Sequence, residues 1–419
     1  MSNRSGGLSL APFRGMRPAV DEGRLKNLIC PPYDVIDEDH RARLLAADPD
    51  NAAAVIVPRG TDPYAEAAKR LNHWVASGLH RIDPVPALYV YEMRTAQGTM
   101  TRGVLGAVEL RDPADQVILP HENTMAGPVA DRLALMTATE TDLEPIYLVY
   151  DGGGATSQAV ADVAADDLVA AATTSDDTRH QLWMITDSEV HRAVEADLSE
   201  RRALIADGHH RYATYRALQA ALRPDRGAGP WDRGLTLLVD TSSYGPDVHA
   251  IHRVLATLPL GRAAELAAQV CHVAAPTDVA TALGELDRAE TFCAVLTDGD
   301  TASVISGVSA AAVEATRTTS EPPALAALDV TVLHRMLISE VWKLADTEGV
   351  VDYAHTAREA IEAARRVGGT AVLLRPTPVH AVAEVAASGA RMPRKSTFFT
   401  PKPASGLVMR RFVDQVELR

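Results

Sequence analysis

Three cysteines in 419 residues, Cys30, Cys271 and Cys293, leave no room for a disulfide framework. None stands in the C-x-x-C spacing of a zinc ribbon or redox pair. Two lie among apolar residues and read as core filler, and such usage fits a reducing compartment. Aromatic residues make up only 5% of the chain, so nucleic-acid bases would find few stacking platforms. The formal net charge is −14, the wrong sign for a protein whose main task is to grip phosphodiester backbones. No stretch approaches the ~18 uninterrupted apolar residues of a membrane span. The segment Met1 to Pro18 lacks the apolar run of a secretory signal. These absences together lead us to expect a cytoplasmic protein with neither nucleic-acid nor membrane partners. Neither G-x-G-x-x-G nor G-x-x-x-x-G-K-[ST] follows any strand that can be drawn, and there is no internal repeat.

What remains is ordinary globular composition, with 47% hydrophobic and 23% charged residues. At about 150 residues per domain the length predicts two or three domains. We divide the sequence into an N-terminal part (1–150), a central part (151–320) and a C-terminal part (321–419) packed onto the others. Residues 10–36, rich in Pro and Arg, read as an irregular lead-in, and Pro31-Pro32-Tyr33-Asp34 is expected to be non-helical. Helices are expected over 62–78, 129–139, 157–173, 187–198, 212–222, 329–345 and 357–366. Strands are expected over 88–93, 103–110, 145–150, 180–185, 203–206, 234–240 and 370–374. Residues 223–233 read as a loop and 310–323 as a linker. The fold class is therefore α+β, a mixed α/β arrangement.

The most informative stretch is Asp207-Gly208-His209-His210-Arg211-Tyr212. An apolar run, Ala203 to Ala206, leads into a glycine turn and then a helical segment. Glycine lets the backbone turn tightly. The first N–H groups of the helix, with its dipole, favour an anion. The histidines and Arg211 add donors and acid/base groups. The plainer alternative is that Arg211 pairs with a carboxylate and the histidines are loop residues.

Three further clusters stand out. Met392 to Lys402 carries Lys395, Ser396, Thr397 and Lys402 between prolines and beside two phenylalanines, a mixture of cations and hydroxyls suited to phosphate or carboxylate. Its plain reading is a basic surface turn. His121-Glu122-Asn123-Thr124, with Asp131-Arg132 downstream, offers a carboxylate beside a histidine, for proton transfer or a cation. The alternative there is helix capping by Asn123 or Thr124. Pro31-Pro32-Tyr33-Asp34 presents a phenol and a carboxylate on a rigid loop, or is a structural proline turn. His249, His252 and His334, flanked by apolar residues, read as structural.

Taken in order, these motifs resemble the domain of unknown function family 1015. They are Pro12-Phe13-Arg14-Gly15, Pro31 to Ile36, His121 to Thr124, Asp131-Arg132, Pro145-Ile146-Tyr147, Ala206 to Tyr212, His252-Arg253, Leu328-Asp329-Val330, Leu333-His334, and Met392 to Phe399 with Pro401-Lys402 and Gly406-Leu407. The Asp-Gly-His-His-Arg unit is also similar to the phosphate-contacting motif of the ParB/sulfiredoxin superfamily, especially its free-serine kinases. That likeness implies a phosphate-binding core of that kind, enlarged by further α/β segments. It implies that Asp207, Gly208, His209, His210 and Arg211 cradle phosphate and that Glu122 is the catalytic carboxylate; the cations and hydroxyls of Lys395, Ser396, Thr397 and Lys402 would form the other phosphate clamp. Glu122, Asp207, His209 and His210 would act in catalysis, and Tyr33, Asp34, His121 and Arg132 would meet the substrate. Sulfiredoxin chemistry itself needs a cysteine in the glycine turn, and none is present.

The expected activity is phosphoryl transfer to or from a small hydroxyl metabolite, as a free-serine kinase or a phosphoserine phosphatase. ADP or ATP would be co-substrate, with Mg²⁺ held through Glu122 or Asp207. A non-catalytic module sensing nucleotides or phosphometabolites would use the same cradle. A metal-dependent hydrolase built on His121, Glu122, His209 and His210 is the remaining reading.

Overall fold

Strand-forming runs such as Leu-Tyr-Val-Tyr at 88–91 alternate with amphipathic segments, and the computed structural model is accordingly mixed α/β. It describes residues 6–317 and 322–415. The chain divides into two compact units: one formed by 1–120, 124–247 and 401–419, the other by 121–123 and 248–400. Among the described residues no helix is long and apolar enough to cross a membrane.

The first unit is built on a mixed sheet of nine strands among the described residues. Its path runs Ile118–Leu119, Ala203–Asp207, Ile146–Tyr150, Arg233–Asp240, Met100–Glu109, Leu88–Arg94, Arg179–Ile185 and Leu168–Thr173, with Leu10–Ala11 pairing to Met100–Glu109. Ala203–Asp207 lies antiparallel to Ile146–Tyr150, with an irregularity between Ile205 and Asp207. That irregularity re-aims the strand end just where Gly208 begins, a common use of a bulge. The strand's Ile205 packs with Leu148, Tyr212 and Tyr215 in one core. A second core gathers Trp74, Ile56, Leu71 and Leu143.

The second unit carries an antiparallel sheet in the order His272–Val273, Ala302–Ser306, Cys293–Thr297, Thr370–Leu373, His252–Leu255, Val351–Ala354. Helices Val279–Arg288 and Ala357–Val367 supply Leu286 and Ala360 to the core over it, where Val254 and Val295 also pack.

Several expected elements take different forms. The helix expected over 157–173 is a helix only at Gly154–Ala161; Leu168–Thr173 is an edge strand against Arg179–Ile185. Pairing there overrides alanine's helix preference. The loop expected from 223 begins later, because the helix His209–Arg226 accommodates Pro224 in its last turn and stops at Gly227, φ 70°. The lead-in contains strand Met16–Pro18 and helix Glu22–Leu28, the latter capped by Asp21. Tyr33–Val35 forms a short 3₁₀ turn once Pro32 has set an extended entry. Part of the expected 310–323 linker is a helix, Ala310–Ala315, while residues 318–321 lie outside the described residues.

Candidate functional site

The strand Ala203–Asp207 delivers the Asp207 carboxylate to the mouth of the helix His209–Arg226. Gly208 makes the turn at φ 94°, in the left-handed region open to glycine. A Cβ there would also stand 3.0 Å from Arg211 Nε. No side chain caps this helix end, so its dipole is available to an anion.

Arg211 is buried one turn into the helix. Its Nη2 donates to Asp207 Oδ2 and its Nη1 to the carbonyl of Pro145. Burial alone would loosen its proton, but Asp207, Glu144 and Asp34 more than reverse this and the pKa is raised. Lys402, from the far end of the sequence, inserts between two carboxylates: Nζ lies 2.7 Å from Asp34 Oδ2 and 2.9 Å from Asp207 Oδ1. Its pKa too is raised, with burial opposing and the two aspartates prevailing. The result is a chain of alternating charge, Asp34–Lys402–Asp207–Arg211, at the glycine turn.

Around this chain, Glu144 Oε1 accepts from the Tyr33 amide at 3.0 Å and from Ser405 Oγ at 2.8 Å. Tyr33 lies under the Arg132 guanidinium, 4.5 Å from its ring, and burial pushes its phenol up to about 12. Arg132 is itself held by Asp131 and by the Ile56 carbonyl. Arg132, Glu144, Arg211 and Thr214 border a cavity of about 30 Å³, room for a water or two and too small for a metabolite. His210 Nε2 accepts from the Met125 amide at 3.0 Å. That bond assigns the mobile proton of a neutral ring to Nδ1. His209 is buried at the first helical position.

The remaining expected residues gather in the second unit. His121 is fully buried, and its Nε2 lies 2.9 Å from Thr397 Oγ1. Glu122 Oε1 accepts from the Ser396 amide at 3.4 Å, and Ser396 Oγ turns back to the Pro393 carbonyl. Lys395 is exposed, at φ 55°. Its carbonyl accepts from Arg253 Nη2 at 2.9 Å. Arg253 is wholly buried: Nη1 meets the Ile251 carbonyl, Nε donates to His334 Nε2 at 2.9 Å, and the guanidinium lies over the Tyr353 ring. Burial brings its pKa down to about 10. His334 is held down to about 3 by burial and by Arg253.

The sites expected from sequence thus fall into two groups. Tyr33, Asp34, Arg132, Asp207, Gly208, His209, His210, Arg211 and Lys402 belong to the first unit, and His121, Glu122, Lys395, Ser396 and Thr397 to the second. Three participants were not among the site residues expected from sequence. Glu144 stands in a polar, acidic approach to a strand, Thr139 to Pro145, where nothing local sets it apart from Glu140 and Asp142. His334 read as structural, and Arg253 entered only within the His252-Arg253 motif. Among the described residues no group of three or more His, Cys, Asp or Glu side chains is placed to hold a metal ion.

Solved structures similar to this chain include a free serine kinase variant in complex with ADP (16% identity, 76% of this chain and 95% of that one, TM-score 0.40). Others are a conserved hypothetical protein from Pyrococcus furiosus (17% identity, 74% and 96%, TM-score 0.38) and SbnI with a C-terminal truncation from Staphylococcus aureus (12% identity, 72% and 85%, TM-score 0.35). No curated protein matches the chain. The family model described as "Protein of unknown function (DUF1015)" matches residues 10–331, and the chain belongs to that family.

Proposed function

We propose that the chain is a nucleotide-dependent phosphotransferase whose acceptor is a small hydroxyl-bearing metabolite, with free serine as the first candidate. The observation that carries this reading is the charge chain Asp34–Lys402–Asp207–Arg211 at an uncapped glycine turn. Phosphoryl transfer asks for cations and donors around the moving group and a carboxylate that orients the attacking hydroxyl. Lys402 is the mobile cation of the set: it exchanges its aspartates for phosphate oxygens when the nucleotide arrives. Asp207, freed from Lys402 and still fixed by Arg211, accepts the hydroxyl proton. Arg211 is a positioning residue in this scheme, since its two terminal nitrogens are engaged by Asp207 and Pro145. His210, with its proton on Nδ1, is suited to donate to a phosphate oxygen. Mg²⁺ favours phosphate oxygens plus one or two carboxylates, and Asp34, released by Lys402, would hold it; bound there, it would neutralise charge on the phosphates.

Phosphorus NMR of the purified chain with Mg²⁺, L-serine and ATP or ADP tests the proposal, beside a tube of O-phosphoserine alone. Phosphoserine formed as nucleotide is lost supports the kinase. Free phosphate from the second tube without nucleotide points to a phosphatase. Tight nucleotide binding with no turnover in any tube replaces the enzyme with a sensing module. Asp207→Asn and Lys402→Ala are each expected to lower turnover at least ~100-fold; near-wild-type rates in both would overturn the site.

A further inference from the structure

The second unit contains a π-helix, Val332–Val341. Its wide winding shows in the i→i−5 bond from the Trp342 amide to the Leu337 carbonyl, 2.7 Å, and in Ser339 Oγ reaching the His334 carbonyl at 3.0 Å. Such helices are rare and concentrate at functional sites. Here the winding brings His334, Arg335 and Ser339 to the wall of a cavity of about 570 Å³, completed by Asn123, Asp346 and the turn 388–393. That volume suits a small-molecule site. Its lining is polar, so the occupant must be polar as well.

The charged groups of this wall are unevenly engaged. Asp346 is engaged by the Tyr353 hydroxyl at 2.6 Å and by Arg394 at 3.3 Å. His334 is neutral: its Nε2 accepts from Arg253, which leaves the proton on Nδ1, 3.7 Å from Asp346. The guanidinium of Arg391 bonds only the carbonyls of Gly389 and Ala390, at 3.3 and 3.1 Å, among the described residues. Half-buried, it loses affinity for its proton through desolvation, and no carboxylate offsets the loss. A half-buried cation that bonds only carbonyls is one that an oxyanion would stabilise. Gly389, at φ 79°, bends the backbone so that Ser388 and Arg391 both line the same space.

We propose that this cavity binds a small metabolite bearing a phosphate or carboxylate group, with Arg391 as the clamp, Ser388 positioning the Arg391 turn through its hydroxyl bonds to the Val385 carbonyl and the Ala390 amide, and Asn123 in the wall facing the polar body. The site is independent of the phosphotransfer reading, which rests on the first unit.

The test uses the full chain carrying Lys402→Ala, which removes the first-unit clamp. Arginine Nε–Hε signals are followed in NMR titrations with inorganic phosphate, and separately with citrate, at constant ionic strength in chloride. Saturable movement of the Arg391 signal with either anion is expected, and which anion acts tells phosphate from carboxylate. Adding Arg391→Ala should weaken the affinity at least tenfold. Ser388→Ala, a milder change, should weaken it two- to fivefold while leaving the amide spectrum folded. No saturable movement with either anion, or unchanged affinity in both cavity variants, would overturn the site.

Discussion

Arg211 and Arg253 are both buried arginines at the centre of a polar cluster, yet they live in opposite electrostatic worlds. Arg211 is matched by Asp207 and surrounded by Glu144 and Asp34, so its charge is more secure than in water. Arg253 is bonded to an imidazole and carbonyls, and its nearest compensation is the more remote influence of Tyr353, Asp346 and Glu122. A cation already paired can move only if something better displaces its carboxylate. A cation held by neutral dipoles fixes backbone in place and leaves the neighbourhood short of negative charge. The first unit therefore holds an exchangeable charge chain, and the second a rigid post beside a cavity that favours anions.

The sharpest way to break this contrast is Arg253→Ala. It strands His334 Nε2 and the carbonyls of Ile251 and Lys395 in a dry interior, at about 1–3 kcal/mol per buried group. Urea denaturation should show a loss of roughly 4 kcal/mol or more; a loss below ~1 kcal/mol would mean water takes over its partners. Arg211→Met should cost less, about 2–3 kcal/mol, because Lys402 still covers Asp207. A loss as large as that of Arg253→Ala would erase the distinction.

The two clusters should also fail at opposite ends of the pH scale. His252 and His334 have folded pKa values of about 4 and about 3, depressed by burial from 6.5. The unfolded chain binds those protons first, so their contribution is intact above pH 6.5 and is lost as pH falls toward 4. At about 1.4 kcal/mol per pH unit, His252 accounts for roughly 3 kcal/mol and His334 for roughly 5 kcal/mol. His80 and His180 in the first unit, both near 4, add to the same acid loss. Lys402 runs the other way: its raised pKa gives stability that is complete below 10.5 and declines as pH rises through the folded value. Lys402→Met should therefore flatten the alkaline limb of a stability–pH curve. An unchanged alkaline limb would refute the assignment.

The smallest effect concerns Lys395, exposed at φ 55°. Only its backbone serves the Arg253 post, so Lys395→Gly should stabilise by up to ~1 kcal/mol through relief of the left-handed conformation. A destabilisation would show that the side chain has a fixed partner.

Much of the first cluster could be read from the sequence, because Asp207-Gly208-His209 sits on a local strand–turn–helix pattern that periodicity and glycine chemistry reveal. The alternative that Arg211 pairs with a carboxylate is also local, one helical turn back to Asp207. What could not be read is the pairing of Lys402 with Asp34, 368 positions apart; nothing in either flanking segment encodes the other. The strand at Leu168–Thr173 was lost for a related reason, since its alanines become a strand only through pairing with Arg179–Ile185. The π-winding of 332–341 hides inside an ordinary helical pattern: its apolar spacing fits 3.6 residues per turn well enough, and only the backbone bonds reveal the wider turn.

The return of the chain into the first unit after residue 400 has a consequence for synthesis. At about 5–20 residues per second, a ribosome needs roughly 20–70 s to travel from Asp34 to Lys402. Through that interval the nascent chain carries Asp34, and later Asp207, without the ammonium that neutralises them. Every residue of the second unit has left the decoding centre before the first unit's charge chain can close. The oldest carboxylate of the site thus waits for the site's youngest cation, and the charge chain cannot close until residue 402 has been made.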